Sequence, residues 1–397
     1  MFNIIMKKQI TSIFLIAGTC IGAGMVALPM TLAKLGVIPS ILLMFFIWLF
    51  SYYSSLVSVE LNLHSERGLS LESLGKKYSG KKIEIFCNIL VKLLCYSLLA
   101  AYIYGGSSII KNLFYLNLEP IYIQTILTLS LILLLQVNNN NNIISKINGY
   151  LFICFLIFLF FLIFLLFFNV NYKNLPLHND YEFKDIASII FVVFTSFGYQ
   201  VVFHTLRDYC GNDVKMLKNA FFYGSIIPLF LYISWTFVVL SVIYNNDINF
   251  YNFIIDGNID AGILVDKLSK ILSFNNLNFI IWLISILAIF TSIIGVGLSL
   301  KDSYFNIFKE KNIKNSNLIS TLITYIPPYL VTVLIPNAFI KILGYAGIIL
   351  VMIAILLPIY LYFKANIEKP YIKILSKYAL ILCSIIGIFM IILSFIY

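Results

Sequence analysis

Gly18-Thr19-Cys20-Ile21-Gly22-Ala23-Gly24, followed by Pro29, interrupts an apolar run that extends from residue 10 to residue 33. Each glycine inside a helix weakens it by about 1 kcal/mol relative to alanine. The run around them has the length of about 20 residues needed to cross about 30 Å of hydrocarbon. A backbone that leaves the helix at that depth must bury its polar groups in protein or line a watery cavity. A second reading stays open, because Gly18-x-x-x-Gly22 is also a helix-packing pattern.

The rest of the chain sets this run in context. Of 397 residues, 61% are hydrophobic, 16% aromatic and only 11% charged, with mean hydropathy +0.97. Soluble domains carry about 25% charged residues. That excludes a soluble enzyme and a disordered chain. It also excludes a nucleic-acid-binding protein, despite the net charge of +10. Long unbroken apolar runs, without apolar/polar alternation, exclude a bilayer barrel. The expectation is an all-α polytopic membrane protein, a single transmembrane domain over residues 1–397, with the lipid bilayer as its solvent. Eleven spans are predicted: 10–33, 38–61, 84–110, 120–137, 147–169, 186–206, 219–244, 278–300, 318–335, 338–363 and 375–396. Pro336 and Asn337 mark a tight turn between the ninth and tenth, and Asn138 to Asn142 read as a loop. The first span is longer than a signal-peptide core and ends without a small-residue cleavage site, so it reads as an uncleaved helix. The six cysteines form no CxxC pair and the three histidines no metal-like spacing, so no metal or cofactor is expected.

Orientation follows from lysine and arginine in the loops. With a cytoplasmic N-terminus, 19 of the 27 basic residues fall inside and 7 outside, with Lys92 within the third span. An odd number of spans then puts Tyr397 outside. The longest outside segment, 245–277, reads equally as a lid or interfacial helix and as a plain surface loop.

The sixth span carries a matching interruption, Phe194-Thr195-Ser196-Phe197-Gly198-Tyr199-Gln200. Spans one and six stand five apart. Two five-helix units, 10–169 and 186–363, would therefore enter the membrane from opposite sides, with 375–396 as an extra helix. Paired interruptions in inverted halves are the best sequence pointer to a transporter site. Each break offers free N–H groups and a positive helix end to a carboxylate, and carbonyls to an ammonium group or cation. A zwitterionic amino acid needs both.

At these residues the chain resembles the hydroxy/aromatic amino acid permease family, and within it the bacterial tyrosine-specific permeases. Gly18-Thr19-Cys20-Ile21-Gly22-Ala23-Gly24-Met25 is similar to the family's GTxIGAGM opening, and Thr195-Ser196-Phe197-Gly198 to its TSFG. Ala101-Tyr102-Ile103, Ile227-Pro228-Leu229, Gly295-Val296, Asp302, Pro327-Pro328 and Leu343-Gly344-Tyr345-Ala346-Gly347 follow in the family's order. The resemblance implies eleven helices in a five-plus-five inverted repeat with discontinuous helices one and six. It also implies an inner-membrane location and proton-driven uptake. The sequence departs from the family at Tyr199-Gln200, where tyrosine permeases often read Phe-His, and at His204, where a proline is usual. Tyrosine leads, with tryptophan or phenylalanine behind it.

The substrate-binding candidates are Gly18, Thr19, Gly22, Ala23, Gly24, Tyr102, Thr195, Ser196, Phe197, Gly198, Tyr199 and Gln200. Thr19 and residues 22–24 are expected at the carboxylate, and Thr195, Ser196 and Gly198 at the ammonium group. Phe197 and Tyr199 are expected to wall the aromatic ring, with ordinary core packing as the alternative for both and for Tyr102. Thr291, Ser292, Glu60 and Lys92 are the coupling-ion candidates, the two hydroxyls for sodium. Glu60 otherwise reads as a solvated span end, and Lys92 as a snorkelling side chain. His204 and Asp208, one helical turn apart, sketch the weak alternative of a membrane-embedded transferase.

Overall fold

In hydrocarbon a helix satisfies its own backbone, so an apolar chain of this composition has helices as its building units. The structure, a computed structural model, describes residues 2–22, 24–137, 141–257, 259–271, 277–335 and 338–396. No β-strand occurs among them. Ala23, Asn138 to Asn140, Pro336, Asn337 and Tyr397 lie outside the described residues.

The helices are α1 (Phe2–Cys20), α2 (Gly24–Leu32), α3 (Val37–Leu63), α4 (Leu71–Ser79), α5 (Lys81–Leu113), α6 (Pro120–Val137), α7 (Asn141–Phe167), α8 (Phe183–Ser196) and α9 (Phe203–Cys210). The second half holds α10 (Val214–Asn246), α11 (Ile248–Ile255), α12 (Ala261–Ile271), α13 (Leu277–Glu310), α14 (Ser316–Leu334), α15 (Ala338–Val351), α16 (Leu357–Lys364) and α17 (Lys377–Ile396). Each predicted span overlaps helix. Among the described residues nine helices are long and apolar enough to cross a membrane, ten if α1 and α2 count as one bent span. Residues 120–136 of α6 form a shorter apolar helix.

Packing sorts the helices into a buried centre and an apolar rim. α10 is buried along most of its length. α7 and α17 turn Phe160, Phe164, Ile385 and Phe389 outward, the face such helices present to lipid tails. The contacts between elements are reciprocal. α15 packs on α5 as α13 packs on α7, and α1 packs on α10 as α8 and α9 pack on α3. α5 meets α13, and α6 meets α14.

Loops predicted to share a side of the membrane do meet. On one face, the Val37 and Ile38 N–H groups donate to the Pro176 and Leu177 carbonyls, and Lys34 pairs with Asp185 at 2.8 Å. On the other face, Arg67 donates to the Asp208 carbonyl, and the Ser79 and Tyr360 hydroxyls lie 2.6 Å apart. The 245–277 segment is no plain loop, since it contains α11 and α12. α12 lies across the end of α5: the Gly262 N–H donates to Ser108 Oγ (3.0 Å), which donates to Asp260 Oδ1 (2.6 Å).

Glu60 has a setting other than the solvated span end expected for it. It is fully buried rather than solvated. Its carboxylate accepts from the backbone N–H groups of Tyr371 (2.7 Å) and Ile372 (2.9 Å) and meets His64 Nε2 at 2.8 Å. The loop after α16 folds back to cap it, which the helix sequence alone does not reveal. Glu60→Leu is expected to orphan the buried Ile372 N–H and strip the Tyr371 N–H of its acceptor, lowering stability by about 1–3 kcal/mol. Thermal unfolding in detergent checks this.

Candidate functional site

The first break is built by glycine and proline together. α1 stops at Cys20, α2 starts at Gly24, and the two axes differ by 53°. Gly24 permits the closest approach between the breaks: a Cβ there would lie 2.7 Å from Ser196 Oγ and 3.2 Å from the Tyr232 hydroxyl. Pro29 has no N–H to give the Met25 carbonyl four residues back. The Trp235 indole fills that role, donating to Met25 O at 2.6 Å. In the second break α8 ends at Ser196 and a 3-10 turn, Tyr199–Val202, leads into α9. Bonds from Phe197 N–H to Phe194 O and from Gly198 N–H to Thr195 O tighten its last turn.

One side chain joins the two breaks. The Tyr232 hydroxyl donates to the Cys20 carbonyl at 2.6 Å and sits 3.2 Å from the Ser196 carbonyl. Both carbonyls end a helix and lack an intrahelical partner. Tyr232→Phe is expected to strip them of this donor and cost about 1–3 kcal/mol. Thermal unfolding in detergent would read the loss, and intact stability would show that the bridge contributes nothing.

Beside the breaks lies a cavity of about 700 Å³. The structure brings most of the predicted residues to its wall: Gly18, Thr19, Gly22 and Gly24 from the first break, Thr195, Ser196, Gly198 and Gln200 from the second, Tyr102 from α5, and Thr291 and Ser292 from α13. Ser292 lies directly against Gly22, where any Cβ would strike its hydroxyl. Gly18 faces the Phe152 ring at 3.3 Å from a notional Cβ. Close packing and cavity lining therefore coexist along the Gly18–Gly22 face. Most hydroxyls are tied to their own helices: Thr19 donates to Ile16 O (2.8 Å), Ser196 to Val192 O (3.0 Å) and Thr291 to Leu287 O (2.7 Å). Their remaining lone pairs are acceptors, suited to an ammonium group or a cation. Thr195 also reaches across to the Leu343 carbonyl at 3.1 Å.

Four predicted residues stand elsewhere. Phe197 and Tyr199 are fully buried behind the wall, with rings against Tyr232 (5.6 Å) and Phe221 (6.1 Å). Their backbone, leaving the helix, turns the side chains toward α10 instead of the cavity. Lys92 sits over the Tyr304 ring at 4.5 Å, and Glu60 is held by the loop described above. Ala23 lies outside the described residues.

Asn148 and Glu72 line the cavity and escaped the sequence reading. Asn148 donates to the Thr291 carbonyl at 3.2 Å, and its Oδ1 is buried without a partner. Its signal was the Asn-Gly pair at the start of an otherwise apolar span. Glu72, in the first turn of α4, lines the cavity too. The amide of Gln200 stands out in another way: neither its oxygen nor its nitrogen has a hydrogen-bond partner, and the residue is 1% exposed. A buried, unsatisfied amide is costly unless something supplies its bonds.

Comparison with known proteins identifies the family. The tryptophan/tyrosine permease family matches residues 6–395. The chain belongs to that family. It is similar to tyrosine-specific transport system 2 of Haemophilus influenzae, 30% identical over 98% of this chain and 96% of the relative. Glutamine transporter 2 of Aliivibrio fischeri is 30% identical over 89% of this chain and 88% of its own length. The low affinity tryptophan permease of Escherichia coli is 27% identical over 90% and 87%. As a member of the tryptophan/tyrosine permease family with this array of apolar helices, the protein is a multi-pass membrane protein.

Proposed function

We propose that this permease imports an aromatic amino acid, tyrosine first, across the bacterial inner membrane by proton symport and alternating access. The observation that carries the proposal is the meeting of the two breaks, with Gly24 against Ser196 and one Tyr232 hydroxyl serving both, at the wall of a cavity in the size range of small-molecule sites. The start of α2 would take the carboxylate through its free N–H groups. Carbonyls and hydroxyls around Thr195, Ser196 and Gly198 would take the ammonium group. The Gln200 amide would meet the phenol, donating to its oxygen and accepting its proton.

Eleven spans in two inverted five-helix repeats, with α17 as the extra helix, are part of the same reading. The reciprocal contacts support it: exchanging each helix for its counterpart five spans on turns α7 on α13 into α15 on α5. The distribution of basic residues supports a cytoplasmic α4 face. With the cavity extending to Ser70 and Glu72 on that face and α12 seated on the other, the structure fits an inward-facing conformation.

A second reading concerns the ligand and the ion. A carboxamide would satisfy the Gln200 amide as well as a phenol does, and one relative is named a glutamine transporter. Sodium could replace the proton, because Thr291 and Ser292 line the cavity opposite the first break. Radiolabelled uptake into proteoliposomes under an imposed pH or sodium gradient separates these readings. Tyrosine accumulation under the pH gradient is the expected result; no accumulation of any aromatic amino acid under either gradient overturns the proposal.

A further inference from the structure

We propose that Glu72, fed by His204, is the group through which the coupling proton leaves the carrier; the assignment rests on the proton-symport reading above. Among the described residues Glu72 is the single carboxylate on the cavity wall and His204 the single imidazole. Glu72 enters none of the ion pairs among the described residues. His204 Nδ1 is buried and makes no hydrogen bond. Three further acidic side chains are committed: Glu60 to the loop after α16, Asp185 to Lys34, and Asp260 to Ser108.

The two groups sit at different depths along one route. His204 is in the first turn of α9, immediately after the 3-10 turn of the second break. Glu72 is in the first turn of α4, at the face to which the cavity extends. Both line the same cavity. The groups facing Glu72 are Lys92, Cys87 and Cys95 from α5 and His204 from α9, with Asp208 one turn beyond His204. From α16, Tyr360 reaches α4 only at its far end, on Ser79. In the proposed path Glu72 is the acceptor that stands between His204 and water.

The proton balance is simple. A neutral His204 imidazole takes one proton in the loaded carrier and becomes imidazolium. In the inward-facing carrier that proton passes to a Glu72 carboxylate oxygen, leaving the imidazole neutral. The carboxylic acid then gives it to water as hydronium and returns to the anion. No bond other than these N–H and O–H bonds forms or breaks.

Reconstituted Glu72→Gln carrier tests the assignment by two measurements: accumulation of labelled tyrosine under an imposed pH gradient, and tyrosine counterflow without one. The expected result is gradient-driven accumulation lowered at least tenfold with counterflow retained, and accumulation restored in Glu72→Asp. Glu72→Gln that accumulates tyrosine like the wild type overturns the assignment alone. Loss of counterflow as well would place Glu72 in the fold or the substrate site, and the assignment falls. A wild-type carrier indifferent to the pH gradient removes the symport reading and this inference with it.

Discussion

Tyrosine uptake is expected to fall to background in Gly22→Val. A side chain at this position would run into the Ser292 hydroxyl, which is itself held by the Ala288 carbonyl at 2.7 Å. α1 or α13 would have to shift, and both line the cavity. A displacement of about 1 Å at a positioned site costs about 100-fold. The effect should act on substrate binding before it acts on the fold, because the break is already non-helical and Gly22 borders a cavity. Binding of labelled tyrosine to purified carrier, alongside thermal unfolding, separates the two. Gly22→Ala combined with Ser292→Ala removes the colliding oxygen and should recover part of the affinity. Normal affinity in Gly22→Val would return the Gly18–Gly22 face to a packing role only.

Selectivity should collapse in Gln200→Leu. In the proposed complex the amide gives and takes one hydrogen bond with the phenol. Phenylalanine can do neither, and an indole N–H can only donate. A buried polar group left unpaired costs about 1–3 kcal/mol. The wild type should therefore prefer tyrosine over phenylalanine by about ten- to a hundredfold, at about 1.4 kcal/mol per factor of ten. Leucine removes the amide and with it the penalty for phenylalanine. Competition of unlabelled phenylalanine, tryptophan and glutamine against labelled tyrosine measures the change. An unchanged ranking would detach Gln200 from recognition. Strong competition by glutamine in the wild type, lost in Gln200→Leu, would favour the carboxamide reading.

The helices were legible because apolar run length is a strong signal, and the breaks because glycine and small polar residues interrupt those runs. The cavity-facing residues of the breaks followed, since backbone departing from a helix carries its neighbours with it. The aromatic side chains did not. Phe197 and Tyr199 look like ring walls in sequence, yet which way they turn depends on the path of the chain between Ser196 and Phe203. Glu60 reads as a solvated span end because the chain that caps it arrives from residues 371 and 372, far along the sequence. α4 was hidden for a different reason: it is short and polar, so no span search finds it, although Ser70 caps its first turn by accepting from the Ser73 N–H. Glu72 was overlooked with it.

The Tyr232 bridge has a consequence for how the carrier can move. Its hydroxyl is riveted to the ends of α1 and α8, while Trp235, one turn along α10, holds the start of α2. Three helix ends from both halves of the chain thus hang on one stretch of a single helix. A ligand seated among them would be carried through the membrane as a passenger in a stiff cradle, and the give would be found where α5 and α13 slide past it. Spectroscopic distances between α1 and α8 should then stay constant through the transport cycle while those from α10 to α13 change.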